Sequence, residues 1–524
     1  MIAGYLATTA TAAIEPIGGP QIDYAKLTPI LLVLAAAMVS VVLEALLPRE
    51  SRRNAQLVLV VAVLLASLVS VFLLAGTNTL TANGALAIDA PGLFMQGSIL
   101  LLALLSALVM AERRVDPAGD AFTARASALP GSEDEQAFTR QGWLQTEIWP
   151  LFLFCVGGML VFVVSNDLLT MFVALEVMSL PLYLLVAMSR RRRLLSQEAS
   201  LKYFLLGAFG SAFFLYGAAL TYGFAGTLNF GEISDKLSAV AGPNGLLIAG
   251  IGLIAVGLLF KLGAVPFHQW VPDVYQGAPT PLTGFMAAAV KFSAFGALLR
   301  IMYVAFGGAR WDWRPAFWVI AVLTMLVGVI LALTQNDVKR MLAYSSIAHA
   351  GFLLIGVLAA NNAGLGGTIF YLLAYGVSTI GAFALVSLVR DPAGEATSLS
   401  SWVGLGKRSP LVAGAFALFL LAFAGIPLTS GFVAKFYVFT AGVAGGATPV
   451  VIIAVIASAI AAFFYGRVIV LMFFTQPKAD GPSVVIPSTL TAVSIGFCVA
   501  LTVLLGVVPQ AVLDVAEKAS TFVR

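Results

Sequence analysis

Four lysines and one glutamate lie in apolar runs where a bilayer would make them expensive. Lys261 sits in Gly257-Leu258-Leu259-Phe260-Lys261-Leu262-Gly263-Ala264-Val265-Pro266, and proline breaks the run five residues later. Lys291 lies well inside the next run, and Lys435 follows a second break at Gly425-Ile426-Pro427. Glu176 is deep in Phe172-Val173-Ala174-Leu175-Glu176-Val177-Met178-Ser179-Leu180-Pro181, and Lys202 lies near the start of its own run. A charged side chain at bilayer depth costs roughly 2.5–3.5 kcal/mol on insertion scales. A helix break at that depth persists only where protein or water satisfies the freed backbone. Charge and break together point to an ion path.

The residue types narrow the chemistry to protons. Desolvation disfavours the charged form of a buried lysine, and a nearby carboxylate restores it. Moving one charge can therefore load or empty a lysine. Arginine could not serve, because it does not deprotonate. Glu176 reads as the modulating carboxylate; its bland alternative is a structural counter-ion for Lys202 or Lys261. Lys202 could snorkel to the interface, as could Arg467. His349, in Ser345-Ser346-Ile347-Ala348-His349, and His268, just after the Pro266 break, are further candidate relay members. Tyr371 and Tyr375, four apart on one run, could line the same hydrated axis or simply pack, and packing is the safer reading. Asp167 and Asp337 are expected to cap helix N-termini.

The elements that must position these residues are membrane helices. Of 524 residues, 60% are hydrophobic and 10% charged, with a mean hydropathy of +0.99. Soluble domains carry about 25% charged residues. Apolar runs near the ~20 residues needed to span a bilayer recur almost to the C-terminus. Cys155 and Cys498 are the only cysteines, and there are two histidines, so thiolate clusters and bis-histidine haem pairs are excluded. No GxGxxG follows a strand-like run, and no basic patch interleaves with aromatics, so neither a dinucleotide nor nucleic acid is an expected partner. No metal or cofactor site is read in the chain. Its first 26 residues lack a basic n-region and a continuous apolar stretch, so no cleaved signal is read.

The pattern predicts an all-α polytopic membrane protein of about fourteen transmembrane helices. Loops after odd-numbered spans hold seventeen basic residues, including Arg190 to Arg193 and Lys478. The opposite face holds seven, with Arg300, Arg310 and Arg314 running against the trend. The positive-inside rule then places both termini outside. Asn166-Asp167 and Asn336-Asp337 open two similar segments, and the break at Pro266 has a counterpart at Pro427. These pairs predict two inverted five-helix repeats, with helices 7 and 12 broken. The expected organisation is a three-helix segment over 1–112 and a cytoplasmic loop over 113–148. Repeats over 149–310 and 311–475 follow, then a last helix and tail over 476–524.

The run from Phe260-Lys261 through Pro266-Phe267-His268-Gln269-Trp270-Val271-Pro272-Asp273-Val274-Tyr275-Gln276-Gly277-Ala278-Pro279-Thr280-Pro281-Leu282-Thr283 resembles the signature of the antiporter-like membrane subunits of respiratory complex I. The form Val274-Tyr275-Gln276-Gly277-Ala278-Pro279-Thr280-Pro281, a lysine at 435 and the short C-terminal end are similar to the subunit N (chain 2) branch. The resemblance implies a proton-translocating subunit of bacterial NADH-quinone oxidoreductase in the plasma membrane. FMN, iron–sulfur clusters and quinone would belong to the assembled complex, and the partners would be other membrane-arm subunits and, through them, the redox arm. It implies that Glu176 pairs with Lys202, that Lys261 stands on a broken helix, that Lys291 connects, and that Lys435 passes the proton outward. Two alternatives stay open: an Mrp-type monovalent cation/proton antiporter subunit and a non-pumping scaffold.

Overall fold

The computed structural model describes residues 22–116, 119–141, 144–239, 244–391, 394–476 and 481–524. The reading of the first 26 residues falls largely outside these, as does Lys478. Helices α1 (Thr28–Leu46), α2 (Arg49–Leu73) and α3 (Ala90–Met110) come first. The loop helix α4 (Glu133–Arg140) leads to α5 (Ile148–Phe162), α6 (Leu168–Val186), α7 (Arg193–Ala225) and the short α8 (Phe230–Ala239). Next come α9 (Gly245–Leu262), α10 (Trp270–Gly277), α11 (Thr280–Phe285), α12 (Lys291–Arg300) and α13 (Arg310–Leu333). Then follow α14 (Val338–Ala359), α15 (Asn362–Leu388), α16 (Leu405–Arg408), α17 (Pro410–Ala424) and α18 (Ser430–Ala444). The chain closes with α19 (Thr448–Phe473), α20 (Thr489–Val507) and α21 (Gln510–Lys518).

Twelve helical stretches among the described residues are long and apolar enough to cross a membrane. Helices α5, α17 and α18 are shorter, with 15 residues each, and α17 and α18 flank the break at Gly425-Ile426-Pro427. Two small antiparallel sheets sit at loop ends. β1 (Thr79–Thr81) pairs with β2 (Leu86–Ile88), and β3 (Val389–Asp391) lies between β4 (Gly394–Glu395) and β5 (Ser483–Val484).

The bundle is layered by burial. The stretch Thr280–Ala305, together with α14 and α15, is buried almost all round, while α1, α2 and α20 bury only about a third of their apolar windows. A helix apolar on every face suits either a protein core or lipid. Ser345, Ser346, Ser378 and Thr379, with their small side chains, put α14 and α15 in the core. The α7–α9 crossing depends on close backbone approach. A Cβ on Gly217 would lie 2.7 Å from the Gly250 carbonyl, and one on Gly250 would lie 2.6 Å from Thr221 Oγ1. Small residues allow this contact, as in many membrane helix pairs. It sets Lys261 against the face of α7 that carries Tyr203.

The two Asn-Asp pairs found in the sequence build the same corner. Asp167 accepts from Thr170 N at 2.7 Å and Asp337 from Arg340 N at 3.0 Å, so both cap their helices. The Asn166 carbonyl accepts from Phe230 N and the Asn336 carbonyl from Leu399 N, at 3.0 and 2.8 Å. Each corner is thus stitched to a loop from further along the chain.

Two basic groups read as loop charges do more. Arg300 is fully buried, not on the outer face. Its guanidinium meets Asp89 in a two-bond pair at 2.9 and 2.7 Å, and its Nε donates to the Val163 carbonyl at 2.8 Å. Phe522 lies 4.5 Å over the guanidinium, and Val523 N donates to Asp89 at 3.1 Å, so the C-terminal tail closes this pair. Three elements distant in sequence supply the partners, which no local pattern reveals. The run Arg190–Arg193 fastens the 113–148 loop: Arg190 binds Asp120 at 2.9 Å, Arg191 binds Asp116 at 2.7 Å, and Arg193 binds Thr123 at 2.6 Å.

Removing one partner of a buried pair leaves the other charge uncompensated and costs about 3–5 kcal/mol. Arg300→Met or Asp89→Asn is expected to lower the thermal unfolding midpoint in detergent. The double change to apolar residues is expected to lower it less than either single one.

Candidate proton-relay site

Two half-helices end inside the bundle, and both end the same way. Gly263 (φ +70°) and Gly425 (φ +81°) adopt the left-handed conformation, which glycine takes without a Cβ penalty. Ala264 N then reaches back to the Leu259 carbonyl at 3.0 Å, and Ile426 N to the Leu421 carbonyl at 3.1 Å. Both are Schellman closures of a helix C-terminus. The predicted breaks are present, and glycine, not proline, makes the stop. Carbonyls left over at each end need other donors. At the first break, the Phe260 carbonyl accepts from Gly263 N at 3.0 Å and takes Trp270 Nε1 as a second donor at 2.9 Å. At the second, Lys435 Nζ donates to the Phe423 and Ala424 carbonyls at 2.9 and 3.0 Å.

Lys261, in the last turn of α9, is buried with 4% exposure. Its Nζ donates to Ser179 Oγ at 2.8 Å and Tyr203 Oη at 3.0 Å, with the Tyr203 and Tyr183 rings 5.1 and 5.9 Å away. Ser179 is one helical turn from Glu176 on α6. Glu176 lies within electrostatic reach of Lys261, and its buried Oε1 has no hydrogen-bond partner among the described residues.

Lys291 opens α12 directly after a π-helical turn, Met286–Val290, and is also 4% exposed. Single π turns inside helices recur at functional sites. Its Nζ donates to the Ser346 carbonyl at 2.5 Å and to Ser346 Oγ. The neighbouring Ser345 hydroxyl bonds Tyr465 Oη, which stands 3.5 Å from His349 Nε2. His349 Nδ1 meets Tyr371 Oη at 2.8 Å. Lys435, 5% exposed, adds Ser458 Oγ at 2.8 Å to its two carbonyls and faces the Phe352 ring at 5.0 Å. His349 lies within electrostatic reach of both Lys291 and Lys435.

Lys291, His349 and Lys435 therefore form one neighbourhood, and Lys261 with Glu176 another. Among the described residues, no hydrogen bond joins the side chains of the two. His268 flanks the first break, half-buried, and its Nδ1 has no hydrogen-bond partner among the described residues. Lys202 and Glu176 do not face each other. Ser200 Oγ bonds the Tyr183 carbonyl at 2.6 Å, and Phe172 stacks on Phe214. That register puts Lys202 roughly 10 Å along the axis from Glu176, at 1.5 Å per residue. Lys202 pairs instead with Glu198 at 2.7 Å and Asp273 at 2.8 Å. The residues missed by sequence are Tyr203, Tyr465, Ser346 and Ser458, hydroxyls on other helices with no distinguishing local pattern. Tyr371 was expected to pack but binds His349. Tyr375 packs its ring on His349 at 4.6 Å.

Residues 165–481 match the family described as NADH:quinone oxidoreductase/Mrp antiporter, TM. A NADH-quinone oxidoreductase subunit N from Rhodococcus opacus (strain B4) is 59% identical, the match covering 96% of this chain and 97% of that one. The chain belongs to the subunit N family of NADH-quinone oxidoreductases, the antiporter-like membrane subunits of complex I. A chain of respiratory complex I from Thermus thermophilus superposes with a TM-score of 0.76 at 31% identity, covering 93% of this chain and 99% of that one. A chain of the Mrp complex from Dietzia sp. DQ12-45-1b shares the fold, with a TM-score of 0.79 at 23% identity over 95% and 97% of the two chains. Among the described residues, no group of three His, Cys, Asp or Glu side chains is arranged to hold a metal ion.

Gly425 has a second constraint besides its backbone. A Cβ there would lie 2.9 Å from Lys435 Cδ and 3.2 Å from Nζ. Gly425→Ala adds roughly 1–2 kcal/mol of left-handed strain and displaces the ammonium from its carbonyls. The expected result is an assembled complex that moves fewer protons per NADH oxidised, measured in inverted membrane vesicles.

Proposed function

We propose that this chain translocates protons across the bacterial plasma membrane through Lys261, Lys291, His349 and Lys435, driven by redox chemistry in other subunits of NADH-quinone oxidoreductase. One observation carries the reading. Lys261, Lys291 and Lys435 are bound by hydroxyls and carbonyls, and none of these three has a carboxylate within salt-bridge distance among the described residues, whereas the buried Lys339 has Glu395 at 3.5 Å. An ammonium buried without a counter-charge is costly. Each lysine is therefore poised to take or release a proton when a neighbouring charge changes, and a paired lysine would not be.

Glu176 supplies that neighbouring charge for Lys261. A proton leaving Lys261 passes to Lys291 and on along the Ser346, Ser345, Tyr465 and His349 groups toward Lys435. Ser and Tyr hydroxyls both donate and accept, so they can carry a proton without holding it. Lys202 stands at the cytoplasmic rim, paired with Asp273 and Glu198, and His268 lies beside the first break. Pro266 and Pro427 keep each helix from resuming at once.

The inverted five-helix units over 149–310 and 311–475 would each form a half-channel. The 1–112 segment, the 113–148 cytoplasmic loop and the 476–524 tail would frame them. Leaving the buried basic residues out of both counts (Arg300 from the outer; Arg190, Arg193, Lys339 and Arg390 from the inner) gives six against thirteen, which supports termini outside. FMN, the iron–sulfur clusters and quinone would reside in the assembled complex, and the other membrane-arm subunits would carry the coupling to the redox arm.

Lys261→Met, Lys291→Met and Lys435→Met are each expected to lower protons moved per NADH in inverted vesicles while the complex still assembles. Lys261→Arg is expected to fail similarly, because arginine keeps the charge and cannot release the proton. A parental ratio in Lys261→Met would refute the relay.

A further inference from the structure

Two cations from different parts of the chain converge on Asp273. Its Oδ2 accepts from Lys202 Nζ at 2.8 Å, and its Oδ1 from Arg340 Nη1 at 2.9 Å. Lys202 belongs to α7, Arg340 to α14, and Asp273 to the short α10 between them. Arg340 Nη1 also donates to Gln276 Oε1 at 3.0 Å, and Gln276 Nε2 donates to Asp337 at 3.3 Å. Helix α10 is thereby tied on one side to the helix of Tyr203. On the other side it is tied to the helix of Ser345, Ser346 and His349.

Trp270 stands three residues before Asp273, a neighbouring position on the helix surface. Its ring stacks on Tyr203 at 4.6 Å with 14° between the planes, while its Nε1 caps the Phe260 carbonyl. The Tyr203 hydroxyl is one of the two groups that hold Lys261. Lys202 and Tyr203 are adjacent in sequence. The ion pair at the rim and the ring stack beneath it are two ends of one clamp of α10 on α7.

We propose that Asp273 is a positioning residue for proton transfer. By holding Lys202 and Arg340 on one carboxylate it seats α10, so that Trp270 keeps the Tyr203 hydroxyl on Lys261. Movement of α14 is then felt at Lys261. Ion pairs this exposed contribute little stability; their effect is on geometry, because one carboxylate fixes two helices at once. Without its charge, Lys202 and Arg340 lose their shared anchor and α10 is free to shift on α7. This inference rests on Lys261 being a relay member.

The test uses inverted membrane vesicles carrying the whole complex, with protons moved per NADH and the pH dependence of that ratio as readouts. Asp273→Asn is expected to assemble and oxidise NADH, yet to move fewer protons per NADH, by about as much as Lys261→Met. Asp273→Glu is expected to recover most of the loss. A merely less abundant complex would lower the total rate and leave the ratio unchanged. A parental ratio and pH profile in Asp273→Asn, with the ratio lowered in Lys261→Met, overturns this inference alone. A parental ratio in both overturns the relay reading as well. If Asp273→Asn does not assemble, Arg340→Gln decides: a lowered ratio supports the clamp and a parental one overturns it.

Discussion

An ammonium group inside an apolar bundle must be met by oxygen atoms, and an unbroken α-helix has few to spare because its carbonyls already accept from its own backbone. Breaking a helix changes that supply. The end of α17 releases the Phe423 and Ala424 carbonyls, and Lys435 takes both. The end of α9 does something different with the same backbone closure. There the Phe260 carbonyl accepts from both Gly263 N and Trp270 Nε1, and Lys261 turns to hydroxyls on α6 and α7. The two breaks are alike in backbone and unlike in how their lysine is held.

The rest of the bundle follows from keeping those oxygens in place. Helices α14 and α15 are buried all round and carry the small and hydroxylated side chains that approach Lys291 and His349. Outer helices such as α1, α2 and α20 present apolar faces outward and supply bulk. Where a full charge is buried and paired, as at Arg300 and Asp89, the pair is satisfied by extra backbone groups from α5 and from the tail. That is the difference between a structural ion pair and the lysines of the proposed relay. The former has its counter-charge in contact; the latter are touched only by hydroxyls and carbonyls.

Much of this was legible in the chain itself. Hydropathy marked where the membrane helices lie, because a lipid-facing or core helix must be apolar over its whole length. The Asn-Asp corners and the two breaks were legible because capping and chain reversal use few residue types at fixed offsets. The depth of Lys261, Lys291 and Lys435 could be read from position within an apolar run. Lys202 was harder. Its place in the run did not show which carboxylate its side chain meets, and helix register turned it from Glu176 to Asp273 and Glu198.

The sequence by itself determined that this is a membrane bundle with costly lysines beside broken helices, since burial, helix length and capping are local properties. Only the tertiary structure decided what those lysines touch. Tyr203, Ser346, Tyr465 and Ser458 come from helices far apart in the chain, and a hydroxyl's role depends on which helix faces it. The same holds for Arg300, a loop charge by position and a buried anchor by packing. Contacts between helices are set by rotation and register across the bundle, and a linear pattern of residues carries neither.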